Sequence, residues 1–411
     1  MKRKAISLLL VIMLGIVSLV SGCSSKESNG DTAGDTKDPI KIGGLTSLSG
    51  VLQDYGTQMQ RGFMLGLEYA TDGTMEVAGR KIEVIWEDTT TVPDVARERA
   101  LKLLDEDKVD LLVGPASSAD AAALLGLAEE YEKILMIEPA AADFLTGANW
   151  NRYIFRTGRN TAQDANAMAA VITHKKPGAK VATLAPDSAF GHAGVAPFVD
   201  AIAAKGGELI AQEFPPADTT DFTPFILRIR EEKPDYLFVI WAGANNPWGQ
   251  LMELDLQSEG IEITTGAPEI AALKMMTDLV GMHGFTVYYH GVADNPVNKW
   301  LVEKHQEKYN SPPDIFTSGG MASAMALVTA LEKTEGDTDT EKLIETLRGM
   351  EFDSPTGKRW FREEDHQAMQ PLFEIKLEEV EGVDHVVPTL IRVIPAEEVA
   401  PPIAVPADAK R

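Results

Sequence analysis

Apolar and polar positions along the chain follow two rhythms, and the switch between them repeats. Residues 40–45 (Ile-Lys-Ile-Gly-Gly-Leu) read as a largely buried strand, and residues 58–70 then carry Met59, Phe63 and Leu67 four apart, the period of an amphipathic helix. The pair recurs as strand 80–86, helix 92–105 opened by Pro93 and Asp94, and a short apolar run 109–113 ending in Gly114-Pro115. Helix 118–131, strand 134–137 closed by Pro139, and strand 153–155 complete the first series. A second series starts at strand 180–184 and runs through helix 191–205, strand 208–214, helix 223–232 and strands 236–241, 261–265 and 285–289. Near-continuous apolar strands between helices belong to parallel sheets covered on both faces. The pattern predicts an α/β chain with two doubly wound, open-sheet lobes. Ligands in such sheets lie beyond the carboxyl ends of the strands, where strand order reverses, so the segments just after each strand are the ones to search.

The first residues stand outside this rhythm. Lys2, Arg3 and Lys4 precede an apolar run from Ala5 to Val20, and Ser21-Gly22 then leads into Cys23, the only cysteine. This order predicts a secretory signal over residues 1–22. The cysteine after small residues resembles a bacterial lipobox, which would make Cys23 a lipidated first residue of the mature chain. Two acyl chains, at about 0.8 kcal/mol per buried CH₂, anchor stably where one is marginal. Residues 23–38, polar and without periodicity, read as a disordered tether, and the Pro- and Ala-rich residues 396–411 as a flexible tail. After the signal, no apolar stretch reads as long enough to cross a bilayer.

Composition narrows the role. One cysteine rules out a disulfide framework and any multi-cysteine metal site, so no metal or other cofactor is expected. The formal net charge is −24, and loss of the three signal cations makes the mature chain more negative still, which disfavours nucleic acid and anionic headgroups as partners. With 411 residues, 44% of them hydrophobic, the chain can build two ordinary domains.

Candidate ligand contacts follow the strands. Gly114-Pro115-Ala116-Ser117-Ser118 runs straight into a helix, whose first-turn amides and dipole suit a carboxylate, with Ser117 and Ser118 adding hydroxyls; a plain serine N-cap explains them equally well. Ala140, Ala141 and Ala142 would let a ligand approach the backbone, or merely pack tightly. Glu269, between a strand and a helical run, could pair with an ammonium group or simply complement a helix dipole. Tyr55, Phe190 and Trp241 sit near strand ends and could form an apolar wall, or belong to the core.

These motifs together resemble the branched-chain amino-acid-binding family, the leucine/isoleucine/valine-type periplasmic binding proteins. The resemblance rests on Ile42-Gly43-Gly44-Leu45-Thr46-Ser47-Leu48-Ser49-Gly50, Tyr55-Gly56, Arg61-Gly62, Val113-Gly114-Pro115-Ala116-Ser117-Ser118, Arg156-Thr157, Phe190-Gly191 and Gly266-Ala267-Pro268-Glu269. It implies the type I periplasmic binding protein fold, with three crossovers near Gly158, Gly291 and Gln370. Lobe 1 would comprise residues 39–158 and 291–370, and lobe 2 residues 159–290 and the hairpin 371–395. It also implies that Ser117, Ser118 and the loop Ala140–Ala142 hold a carboxylate, that Glu269 takes an ammonium, and that Tyr55 lines the side-chain pocket. Phe190 and Trp241 would face the cleft from lobe 2. Two positions depart from the family pattern: Ala142 stands where a threonine is usual, and Phe190 where a tyrosine is usual.

The implied role is an extracytoplasmic, membrane-anchored monomer that hands an apolar or branched-chain amino acid to ABC permease subunits. A sensor domain feeding a receptor or kinase, or a binder of another small amine or carboxylate, is the alternative. No phosphate loop, no Gly-x-Ser-x-Gly elbow and no His-Glu-x-x-His motif occurs, so an enzyme is not expected.

Overall fold

A computed structural model describes residues 37–407 and 409, and residues from Lys37 onward form one compact unit. The signal, Cys23 and all but the last two residues of the expected tether lie outside the described residues. The first series comprises β1 (Ile40–Thr46), α1 (Gln53–Ala70), β2 (Glu76–Val77), β3 (Arg80–Asp88), α2 (Pro93–Asp105), β4 (Leu111–Val113), α3 (Ser118–Glu130), β5 (Leu135–Ile137) and β6 (Ile154–Arg156). Its sheet has the order β2-β3-β1-β4-β5-β6, parallel throughout except for the short edge strand β2. Strand order reverses at β1, so the loops after β1 and β4 leave to opposite faces and open a crevice between them.

The second series comprises α4 (Thr161–Lys175), β7 (Lys180–Leu184), α5 (Ala189–Ala204), β8 (Glu208–Glu213), α6 (Thr223–Glu232), β9 (Tyr236–Val239), α7 (Trp248–Glu253), β10 (Glu262–Thr265), α8 (Ile270–Leu273) and β11 (His283–Thr286). Its parallel sheet, ordered β10-β9-β7-β8, reverses between β7 and β9. The remaining elements are α9 (Pro296–Tyr309), α10 (Ile315–Lys333), α11 (Thr340–Leu347), β12 (Glu351–Phe352), β13 (Arg359–Phe361), β14 (Ala368–Met369), β15 (Leu372–Glu378) and β16 (Val387–Ile394). β15 pairs antiparallel with both β11 and β16 in a third sheet. The mixed α/β architecture with two parallel cores is the fold class the hydrophobic rhythm predicts.

Four details differ from the sequence reading. α1 begins at Gln53, five residues early, because Gly56 is not a breaker: a methyl there would lie 2.0 Å from the Ser47 carbonyl, so the glycine lets the helix rest on the end of β1. Strand 236–241 ends at Val239 and strand 285–289 at Thr286. By length and composition α10 is apolar enough to cross a membrane, contrary to the expectation that nothing after the signal would be, yet it is almost wholly buried and serves as a core helix. Finally, the predicted loose tail is docked at its start. Val399 is fully buried, Asn166 donates to the Val399 and Ala400 carbonyls, and Arg362 donates to Pro401 O at 2.8 Å. Proline and alanine content masked that anchoring valine.

Candidate functional site

The loops after β1 and β4 in one sheet and after β7, β9 and β10 in the other converge on a cavity of about 240 Å³. Of the residues singled out in the sequence, Tyr55, Ser117, Ser118, Ala141, Phe190, Trp241 and Glu269 line it. Ala140 and Ala142 fall outside the lining and are buried behind it. Their carbonyls accept from Arg156 at 3.2 and 2.7 Å, so they shape the loop that presents Ala141.

Ser117 is the N-cap of α3, and its Oγ accepts the Asp120 amide hydrogen at 3.2 Å. Ser118 Oγ accepts from the Ala142 amide at 3.1 Å. Ser117 therefore performs the capping task, while Ser118 ties the loop after β5 to the start of α3. One lone pair of each hydroxyl is used, while each O–H proton can still turn to an anion. The opening amides of α3 have no acceptor within the helix and add to the same electropositive corner.

At the other side stands an acid. Glu269 precedes α8, and its carboxyl is pushed up to about 7, first by burial and then by the nearby Asp314 and Asp54 carboxylates, against the opposing hydrogen bond from Tyr55. Tyr55 donates to Glu269 Oε1 at 3.3 Å and accepts from the Gly243 amide at 3.0 Å. Burial and Glu269 hold the phenol well above its ordinary pKa, so it stays a donor. A second backbone bond, Ala244 N–H to Val51 O at 3.4 Å, joins the loops of the two sheets beside it. Phe190, Phe238, Trp241, Phe285 and Phe316 supply an aromatic wall. Trp241 is fixed by its indole N–H on the Asn245 carbonyl at 2.7 Å and by an edge contact with Phe222.

Two charged lining residues, Arg159 and Asp164, were missed in the sequence. Arg159 follows β6 in the connection to α4 and enters the cavity with its side chain 12% exposed. The sequence drew attention instead to Arg156, three residues earlier, which is fully buried and occupied with loop carbonyls. A second arginine, immediately after the glycine of the implied first crossover, was the available signal.

Residues 39–380 match the family model described as periplasmic binding protein. The chain belongs to the periplasmic binding protein family. Among its relatives, Leu/Ile/Val-binding protein homolog 6 of Brucella abortus (strain 2308) is 25% identical over 332 residues, covering 78% of this chain and 83% of that protein. The leucine-, isoleucine-, valine-, threonine- and alanine-binding protein of Pseudomonas aeruginosa is 25% identical over 79% of this chain and 86% of its own length. A solved structure described as an ABC-type branched-chain amino acid transporter, from Rhodopseudomonas palustris CGA009, is 45% identical with a TM-score of 0.80, covering 90% of this chain and 100% of that one. An ABC-transporter solute-binding protein from Rhodopseudomonas palustris BisB5, in complex with 3,4-dihydroxybenzoic acid, is 28% identical with a TM-score of 0.79 over 88% of this chain and 98% of that one. As a periplasmic binding protein of this two-lobed type, the chain is an extracytoplasmic solute-binding component of ABC transport.

Proposed function

We propose that this periplasmic binding protein captures a small apolar or branched-chain amino acid in the cavity between its two parallel sheets and presents it, as a monomer, to ABC permease subunits. A lipid on Cys23 would hold it at the outer face of the membrane. Closure about crossovers near Gly158, Gly291 and Gln370 would bring residues 39–158 and 291–370 against 159–290 and 371–395. No catalytic step belongs to this role.

The observation that carries the reading is the convergence of two groups of polar residues, one from each series of strands, on one aromatic-walled cavity. Ser117, Ser118 and the start of α3 offer hydrogen-bond donors to a carboxylate, and Glu269 with Tyr55 offers an acid to an ammonium. Glu269, held near half protonation at neutral pH by burial, has unmet demand for a counter-cation. The departures from the family pattern fit the same arrangement. Ala142 lies behind the cavity wall with its amide on Ser118 Oγ, and Phe190 adds to the wall.

A second reading, an aromatic acid, is favoured by the six aromatic rings around the cavity and by the dihydroxybenzoate-bound neighbour. Calorimetric titration at pH 7 in buffers of different ionisation enthalpy separates the two. Leucine, isoleucine or valine should bind with release of protons, because an ammonium draws Glu269 into its charged form. A benzoate that binds without proton release while the amino acids stay silent would replace the first reading by the second.

A further inference from the structure

The backbone that carries Arg159 is held from several sides. Arg359 donates to the Thr157 carbonyl at 2.7 Å, and Gln367 donates to the Gly158 carbonyl at 2.7 Å. Thr157 Oγ1 donates to Glu138 Oε2 at 3.0 Å, and Asn160 with Gln163 closes a reciprocal cap at the start of α4. A methyl on Gly158 would lie 2.8 Å from Glu138, so the turn is packed tight as well as bonded. This anchored connection leads out of the first sheet and into the helix that opens the second series.

The side chain on this rigid base is under-used. Its closest acid is Asp164, whose Oδ2 lies 3.4 Å from Nε, and the pair is not aligned as a hydrogen bond. Nε and Asp164 Oδ1 are both buried without a hydrogen-bond partner among the described residues. A guanidinium presents five N–H donors in a fixed fork that matches a carboxylate bidentately, and one poorly aligned oxygen does not satisfy it. Both residues line the same cavity as Ser117 and Ser118. Burial raises the Asp164 carboxyl above its ordinary pKa, and the Arg159 charge beside it opposes that shift.

We propose that Arg159 is the anion anchor of the cavity, binding the carboxylate of the solute and so selecting acids over their amides and esters. The inference rests on the solute-binding reading above and sharpens it: the obligatory feature of the ligand is its carboxylate, and Glu269 decides only whether an ammonium is tolerated at the other side. Because Arg159 stands at the connection between the sheets, a solute held there is seated near the hinge first. The aromatic wall and the Tyr55–Glu269 pair then close onto it.

The test is calorimetric titration of the protein and of its Arg159→Gln and Asp164→Asn variants, with leucine and leucinamide and with 4-hydroxybenzoate and 4-hydroxybenzamide as probes. The unaltered protein should bind one acid at least about 30-fold more tightly than its amide. Arg159→Gln should lose about 30-fold or more for the acid and erase the gap to the amide, while Asp164→Asn should bind the acid as tightly or better, a competing anion having been removed. Circular dichroism and the unfolding midpoint establish that each variant folds. A purely structural ion pair predicts the opposite pattern, equal losses in both variants with the acid-over-amide gap intact, and that result overturns the proposal while leaving solute capture standing. Binding of amides but of neither acid would overturn both this proposal and the carboxylate part of the functional reading.

Discussion

Glu269 connects the chemistry of the cavity to the stability of the protein. Its proton is held more tightly in the folded chain than in the unfolded one, so its contribution to stability is present at low pH and is lost as pH rises from the ordinary glutamate value to about 7. Glu269→Gln should therefore stabilise the ligand-free protein at pH 8 by about 1–2 kcal/mol, with little effect near pH 4, as read by thermal denaturation at the two pH values. The same substitution should weaken an ammonium-bearing solute by about 2–5 kcal/mol. Loss of affinity together with gain of stability marks a residue placed for a ligand; destabilisation at both pH values would mark one placed for the fold. Ser118 offers the converse case, because its oxygen already holds the Ala142 amide. Ser118→Ala should cost stability and affinity together, by about 1–3 kcal/mol in stability from the buried amide left unpaired. A urea titration and a binding isotherm on the same preparation check both.

At the scale of elements, the joint between α1 and α10 is set by glycines. A methyl on Gly62 would lie 1.9 Å from the Thr317 carbonyl, and one on Gly320 would lie 2.2 Å from the Met59 carbonyl. Gly62→Ala should accordingly lower stability by about 1–3 kcal/mol through forced separation of the helices. Gly126→Ala, on an exposed position of α3 with open space around it, should raise stability by up to about 1 kcal/mol. Chemical denaturation of the two variants side by side is the check. These glycines also show where sequence reading stopped. The strands of the two series were legible as short, near-continuous apolar runs and most helices by a period of 3.6, and α1 was legible as far as Met59, Phe63 and Leu67 carried that period. α10 has no such stripe. It is buried on nearly all sides, so periodicity gives no signal. The site was legible where a residue type follows a strand and opens a helix, as at Ser117, Ser118 and Glu269. Arg159 was not, because its placement depends on Arg359, Gln367 and Glu138, contacts hundreds of positions away in two cases and invisible in local pattern.

For the whole molecule, the decisive contact is the Tyr55 hydroxyl, which joins the first turn of α1 to both Gly243 and Glu269 of the other series. Its bonds exist only when the two sides meet, so they act on the lifetime of the closed form. Tyr55→Phe should lower affinity about 10-fold, mainly through faster dissociation, with the association rate nearly unchanged; stopped-flow titration following Trp241 fluorescence measures both. Whole-molecule closure also makes a demand on how the chain is made. If the chain is exported unfolded through a translocation channel, as the lipobox-like signal in the sequence implies, the 19 residues of α10 are exposed to the membrane before they pack on α1. A segment that apolar risks partitioning sideways and stopping. The pair Gly319-Gly320, required in the folded state because Glu138 and Met59 leave no room for a side chain, also thins the segment's apolarity during passage. The same two residues thus serve the assembled core and the journey to it, and leucines in their place would penalise both.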